Sequence, residues 1–234
     1  MKTDTYIDNL ITKQILEQND TERKAHVSSG KLSASMLGAP LQWQILKQYG
    51  VPERDIDDYT LRKFKRGKDV EAWVVKSLVL DTLSTQAEVS YKGVIGYVDC
   101  LVDSLHFDFP CGVVPLEVKS VSNAKFKRLE RGGADHGHLL QGALYALALD
   151  KPSFAILYVA SDDYRIKTWL YDTALFKEEI DAIIERYSTQ LSKGTVPAFE
   201  AIEKWQADLK YCRYPDWMGL SEEEATSKLK ALTF

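Results

Sequence analysis

Between residues 86 and 121 the hydrophobic period of the chain drops from the helical 3.6 to two, and this switch constrains the fold more than any other feature. QAEVSYKG (86–93), VIGYVDCLVD (94–103) and VVPLEVKSV (113–121) read as three consecutive strands. The first two are expected to form a hairpin or bulged pair around Gly93. Pro115 falls near the start of the third, where a missing N–H costs the ladder least. Helical patterns lie on either side. Residues 68–83 carry Val74, Val75, Leu78 and Val79 on one stripe, with Glu71 anomalously at its head. Residues 138–150 put Leu140, Ala143, Leu144 and Leu147 on another. FAILYVAS (154–161) and YRIKTWLYD (164–172) are two more strands, and 175–194 is a long helix closed by Gly194. Upstream, 32–50 reads as a single helix capped by Ser33 or Ser35, whereas 125–137 reads as a basic, glycine-containing loop. The order α-β-β-β-α-β-β-α, a meander followed by a helical crossover, predicts an α/β fold with a mixed β-sheet flanked by helices.

A chain of 234 residues can bury such a core. We expect an N-terminal helical segment at 1–60, the core at 61–200 and a C-terminal extension at 201–234 packing on it. A formal charge of −4 argues against a protein that merely coats nucleic acid, although it averages over the surface and can conceal a basic groove. Cys100, Cys111 and Cys212 are too few and too scattered for a disulfide framework, so buried free thiols in a reducing, cytoplasmic setting are expected. The opening MKTDTYIDNLITKQILEQND is too acidic and interrupted for a secretory leader. No stretch approaches the roughly 20 apolar residues of a membrane span.

Two strands carry charge where a half-buried sheet should not. Asp99 ends GYVD, and Glu117 and Lys119 alternate in LEVKS, so the last two share a face. If the strands pair, Asp99 can lie opposite Glu117. Two carboxylates beside an ammonium are costly to bury unless something uses them. Mg²⁺, which takes hard oxygen ligands, meets that need, with the lysine acting on a water or on developing phosphorane charge. An ordinary cross-strand Glu–Lys pair on a solvated face is the bland alternative.

GYVD, then LEVK, then a helix bearing QGALY, with Glu71 in RGKDVE before them, resembles the PD-(D/E)XK nucleases and, more narrowly, their RecB-type exonuclease branch. LSASML followed by Pro40 is similar to that branch's opening segment, and the likeness spans about 32–200. It implies a restriction-endonuclease-like core and Mg²⁺ or Mn²⁺ as cofactor. It also implies Glu71, Asp99, Glu117 and Lys119 as the catalytic set, with the three acids as metal ligands. Gln141 and Tyr145, one turn apart on a shared helix face, are implied to hold DNA or the lysine, and His138 is expected to touch phosphate. Two basic runs bracket the acids. Arg62, Lys63, Lys65, Arg66 and Lys68 precede Glu71, and Lys125, Lys127, Arg128 and Arg131 follow Lys119. They suit phosphate neutralisation, with Phe64 and Phe126 within them available either for base stacking or for core packing.

The branch's iron–sulfur members carry a cysteine before the early proline and three near the C-terminus. Here Ala39 precedes Pro40 and only Cys212 lies in the C-terminal part, so no cluster is expected. Trp205, Tyr211, Tyr214 and Trp217 are expected to supply that clamp by packing on the N-terminal helix. The sequence contains no GxxxxGK[ST] motif. Expected partners are DNA with free ends and, compatibly, a strand-annealing or replication protein. A DNA exonuclease of phage or bacterial replication, repair or recombination is the leading expectation, beside a structure-specific or restriction-type endonuclease and a non-catalytic DNA-binding relative.

Overall fold

The computed structural model describes residues 13–18, 21, 31–78, 82–103 and 112–232. Val79, Cys111 and most of the opening segment lie outside the described residues. The elements are α1 (Leu41–Gln48), α2 (Asp58–Ser77), β1 (Thr82–Tyr91), β2 (Val94–Asp103), β3 (Val113–Val121), α3 (Asn123–Gly132), α4 (His136–Ala148), β4 (Ser153–Ala160), β5 (Ile166–Asp172), α5 (Lys177–Lys193) and α6 (Glu222–Ala231).

The sheet has five strands in chain order, β1-β2-β3-β4-β5. Neighbours are antiparallel except β3 and β4, which run parallel because α3 and α4 carry the chain across between them. The sheet is therefore mixed and flanked by helices, as the periodicity predicts. Its two faces bury separate cores. Val114, Leu116 and Val118 of β3 meet Val70 and Val74 of α2 on one side. Leu140, Ala143 and Leu144 of α4 and Ile180, Ile183 and Ile184 of α5 cover Phe154, Ile156 and Tyr158 of β4 on the other.

Three local expectations are corrected. Residues 32–50 do not form one helix: Ala34–Met36 make a single 3₁₀ turn, and α1 starts only after Pro40, whose ring disfavours helical geometry at Ala39. The second helix begins ten residues earlier than 68, at Asp58, because the Asp57 carboxylate accepts from the Thr60 N–H and caps it. The first basic run therefore lies on α2. Most of the supposed loop 125–137 is also helical. The Ser122 hydroxyl accepts from the Lys125 N–H, and Phe126 and Leu129 bury one face of α3. Phe126 is thus a core residue, whereas Phe64 is exposed.

Tyr214 and Trp217 join the larger core beside Trp43, and Trp205 meets Trp43 edge-on at 6.5 Å. Tyr211 departs from the expected clamp and is exposed. Arg54, just after α1, holds the C-terminal part further, donating to the carbonyls of Leu209 and Lys210. Cys100 and Cys212 are buried free thiols. No helix among the described residues is long and apolar enough to cross a membrane.

Candidate active site

The site forms where β2 and β3 part. Their ladder ends at the Cys100–Leu116 pair, one residue before Asp99 would face Glu117. Side-chain alternation inverts at the same point: Val98 joins the α4-side core, and Cys100 joins the α2-side core. Asp99 fills the gap and accepts the Val118 N–H on Oδ2 at 2.7 Å.

Two glycines let α4 close over this gap. A Cβ on Gly96 would come within 2.4 Å of a Tyr145 ring carbon, and one on Gly142 within 2.6 Å of the Phe154 ring. Tyr145 can therefore lie flat on β2, with Gln141 one turn away above β3.

Glu117 is only 2% exposed. Its Oε1 accepts from the Lys119 ammonium, its Oε2 is buried with no well-formed hydrogen bond, and the Tyr145 hydroxyl stands beside the carboxylate. Lys119 also donates to Gln141 Oε1 at 3.4 Å, and Gln141 Nε2 donates to the Tyr145 hydroxyl at 2.6 Å. Gln141 thus reaches the lysine, Tyr145 supports Gln141, and both are buried. From the other side α2 brings in Glu71. Glu71 Oε1 accepts from Gln86 Nε2 at 2.6 Å, and the same amide reaches Asp99 Oδ1 at 3.4 Å.

The electrostatics follow from burial. Desolvation pushes the Glu117 carboxyl up to about 7, against the pull of Lys119. Desolvation also raises Glu71 and Asp99, and the Asp99 charge adds to the shift at Glu71. Burial works against the Lys119 ammonium, but the carboxylates of Glu117, Asp99 and Glu71 outweigh it and hold its pKa above the usual lysine value.

Gln86 escaped the sequence reasoning, because a glutamine within a strand carries no pattern. Its φ of +50° is unusual for a non-glycine residue inside a strand, and such strain typically costs about 1–3 kcal/mol. It sits between the Thr85–Cys100 and Ala87–Val98 pairs and so directly opposes Asp99. Lys68, Glu71, Thr85, Gln86 and Asp99 line an open cleft. Among the described residues no three Asp, Glu, His or Cys side chains are disposed to enclose an ion as they stand. The Gln86 amide and the Lys119 ammonium hold the carboxylates instead.

The other candidates divide. His138 is half-buried, and its Nδ1 lies 2.6 Å from the Tyr158 hydroxyl. Burial and the Lys119 and Lys125 ammonium groups push its pKa well down, which favours the neutral ring. Lys125 pairs with Asp135, as does Arg128 at 3.1 Å. Lys127 and Arg131 are exposed on α3. Arg66 is half-buried on α2, with its Nε lacking a hydrogen-bond partner. Asp135 and Tyr158 were also missed: Asp135 stands beside His138 as the N-cap residue of α4, and the packing of α4 on β4 brings in Tyr158.

No protein-family model matches the chain, and no curated protein matches it. Solved structures do. SSO0001 superposes with a TM-score of 0.61 at 15% identity, over 92% of this chain and 98% of that one. An alkaline exonuclease from Laribacter hongkongensis, LHK-Exo, matches with a TM-score of 0.53 at 13% identity, over 70% of this chain and 89% of that one. Its complex with dAMP matches at 0.50 and 15% identity over the same shares. The likeness is one of fold. The chain shares the restriction-endonuclease-like mixed sheet and flanking helices of the Laribacter exonuclease.

Proposed function

We propose that the protein is a divalent-metal-dependent deoxyribonuclease, an exonuclease acting on DNA with free ends in phage or bacterial replication, repair or recombination. The observation that carries this reading is Glu117, a buried carboxylate with one oxygen on Lys119 and the other without a well-formed hydrogen bond. A buried acceptor left without a partner costs about 1–3 kcal/mol, and a cation would offset that cost. Asp99, in the gap between the two faces, and Glu71, from α2, would add carboxylate oxygens, a hard donor set that suits Mg²⁺ or Mn²⁺. Glu117, Asp99 and Glu71 would hold the ion, which supplies charge neutralisation at the phosphate and a more acidic water.

The rest falls to the chain's own groups. Lys119 Nζ orients the attacking water and offsets charge developing on the phosphate oxygens. Gln141, anchored on the Tyr145 hydroxyl, accepts from Lys119 and fixes where that ammonium points. The Val118 N–H fixes Asp99. The fold shared with the Laribacter exonuclease, and that enzyme's complex with dAMP, support a DNA substrate.

End-labelled single- and double-stranded DNA, incubated with Mg²⁺, Mn²⁺ or EDTA, tests the reading. Cleavage should require the metal. Asp99→Ala, Glu117→Ala and Lys119→Ala should each abolish it while retaining DNA binding, and Glu71→Ala should impair it less. Wild-type rates in Asp99→Ala would overturn the mechanism. Cutting of covalently closed circles would make the enzyme an endonuclease.

A further inference from the structure

Gln86 is placed as though it belongs to the metal site. Among the described residues the other non-glycine positions with positive φ, Lys92, Asp150 and Tyr164, lie in connections between elements, whereas Gln86 lies within β1. Its left-handed backbone sits opposite Asp99, and its side chain meets Glu71 on α2. The carboxamide thereby stands between two carboxylates carried by different elements, donating to Glu71 at 2.6 Å and to Asp99 at 3.4 Å.

We propose that Gln86 is a switching ligand of the divalent-cation site: its NH₂ holds Glu71 and Asp99 together without an ion, and its oxygen turns onto the ion when one binds. The proposal rests on the metal-dependent reading above and extends it by assigning a ligand that the family resemblance does not supply. The chemistry of the side chain favours this role. A primary amide offers two donors and an acceptor at the same reach, and a half-turn of its terminal torsion exchanges them. A lysine between the same acids would neutralise them but compete with the cation. A glutamate would add like charge and spread the acids apart when no ion is bound. The glutamine stabilises the ion-free arrangement and adds a hard oxygen to the loaded one. The cleft lined by Lys68, Glu71, Thr85, Gln86 and Asp99 opens to solvent, which gives a cation access to this position. Glu117, whose buried Oε2 has no well-formed hydrogen bond, is the neighbouring acceptor on the far side of Asp99.

Calorimetric titration of the full-length protein with Mn²⁺, without DNA, tests the proposal independently of cleavage. Gln86→Ala and Gln86→Asn, the latter keeping an amide one methylene too short, should each weaken Mn²⁺ binding by about tenfold or more. Gln86→Glu should bind Mn²⁺ more tightly than wild type, since a charged oxygen replaces a neutral one, and should melt at a lower temperature in EDTA. Gln86→Gly relieves the strained backbone, so it provides a folded variant in which the same loss of affinity must appear. Wild-type or tighter Mn²⁺ binding in the alanine, asparagine and glycine variants would overturn the proposal, leaving Gln86 as a cap on the acids alone. A wild-type protein that binds no Mn²⁺ would instead overturn the metal-dependent reading on which it rests.

Discussion

On one face of the sheet, α4 and α5 lie over a core that extends to the C-terminal helix through Ala225 and Leu229. On the other face α2 buries only Leu61, Val70 and Val74 along twenty residues. The site draws on both faces. Glu117 and Lys119 lie under the heavily packed α4, whose Gln141 accepts from the ammonium and is itself held by Tyr145. Glu71 arrives on the thinly packed α2. Few buried contacts mean a low free energy of local opening, so the arm of the site that carries Glu71 should loosen more readily than the arm that carries Lys119.

The largest expected effect tests this inequality directly. Leu144→Ala, at a fully buried position on α4, should cost about 2–5 kcal/mol in denaturant unfolding. Val74→Ala should cost about 1.5–2 kcal/mol, because it removes one side-chain carbon fewer, from a thinner core. Amide hydrogen exchange should be faster across α2 than across α4. Equal costs and equal exchange would mean that α2 is as firmly held as α4.

The next effect concerns the buried acid. The Glu117 pKa is raised in the folded protein, to about 7, so the folded state binds the proton more tightly than the unfolded chain does. That contribution is fully present below the unfolded glutamate pKa of about 4.5. It is lost in metal-free protein as pH rises toward 7. Thermal unfolding in EDTA across this range should show the decline, and Glu117→Gln should make it shallower, with a residual slope from the raised Asp99 and Glu71 carboxyls. A flat wild-type profile would place Glu117 in a more polar setting than its burial indicates.

The smallest effect separates the basic groups of α3. Lys127→Ala and Arg131→Ala should each lower the slope of log affinity against log salt by roughly 0.7 for single strands or 0.9 for duplex. Lys125→Ala and Arg128→Ala should change it less, because Asp135 already offsets those charges. Binding measured at several salt concentrations in the Glu117→Ala background would show this. Identical slopes in all four variants would mean that DNA enters from elsewhere.

The strands and the α4 and α5 helices were legible because burial on one face leaves a period in the sequence. The early part of α2 and all of α3 were not. Their exposed faces are so polar that little apolar periodicity survives, and only the Asp57 and Ser122 caps mark where they begin. In the site, Asp99, Glu117 and Lys119 could be noticed as charges inside strands. Gln86 could not, because its part depends on a backbone angle and on its register with Asp99. The pairing of Asp135 with Lys125 arises from the turn between α3 and α4, and that of His138 with Tyr158 only when the crossover docks on β4. The first basic run was easy to see, but which of its members face the cleft depends on the rotation of α2.

Because the strands stand in the sheet in chain order, the polar groups of the site are complete once synthesis has passed Tyr145. At that point β3 still has an unpaired edge from Leu116 to Val121, which β4 later covers in parallel. A nascent chain or a fragment ending after α4 would therefore carry the acids, the lysine and the glutamines on an open apolar strand edge, a template for association with other chains. Solubility of the polypeptide is thus tied to residues 153–160, which contribute none of those groups.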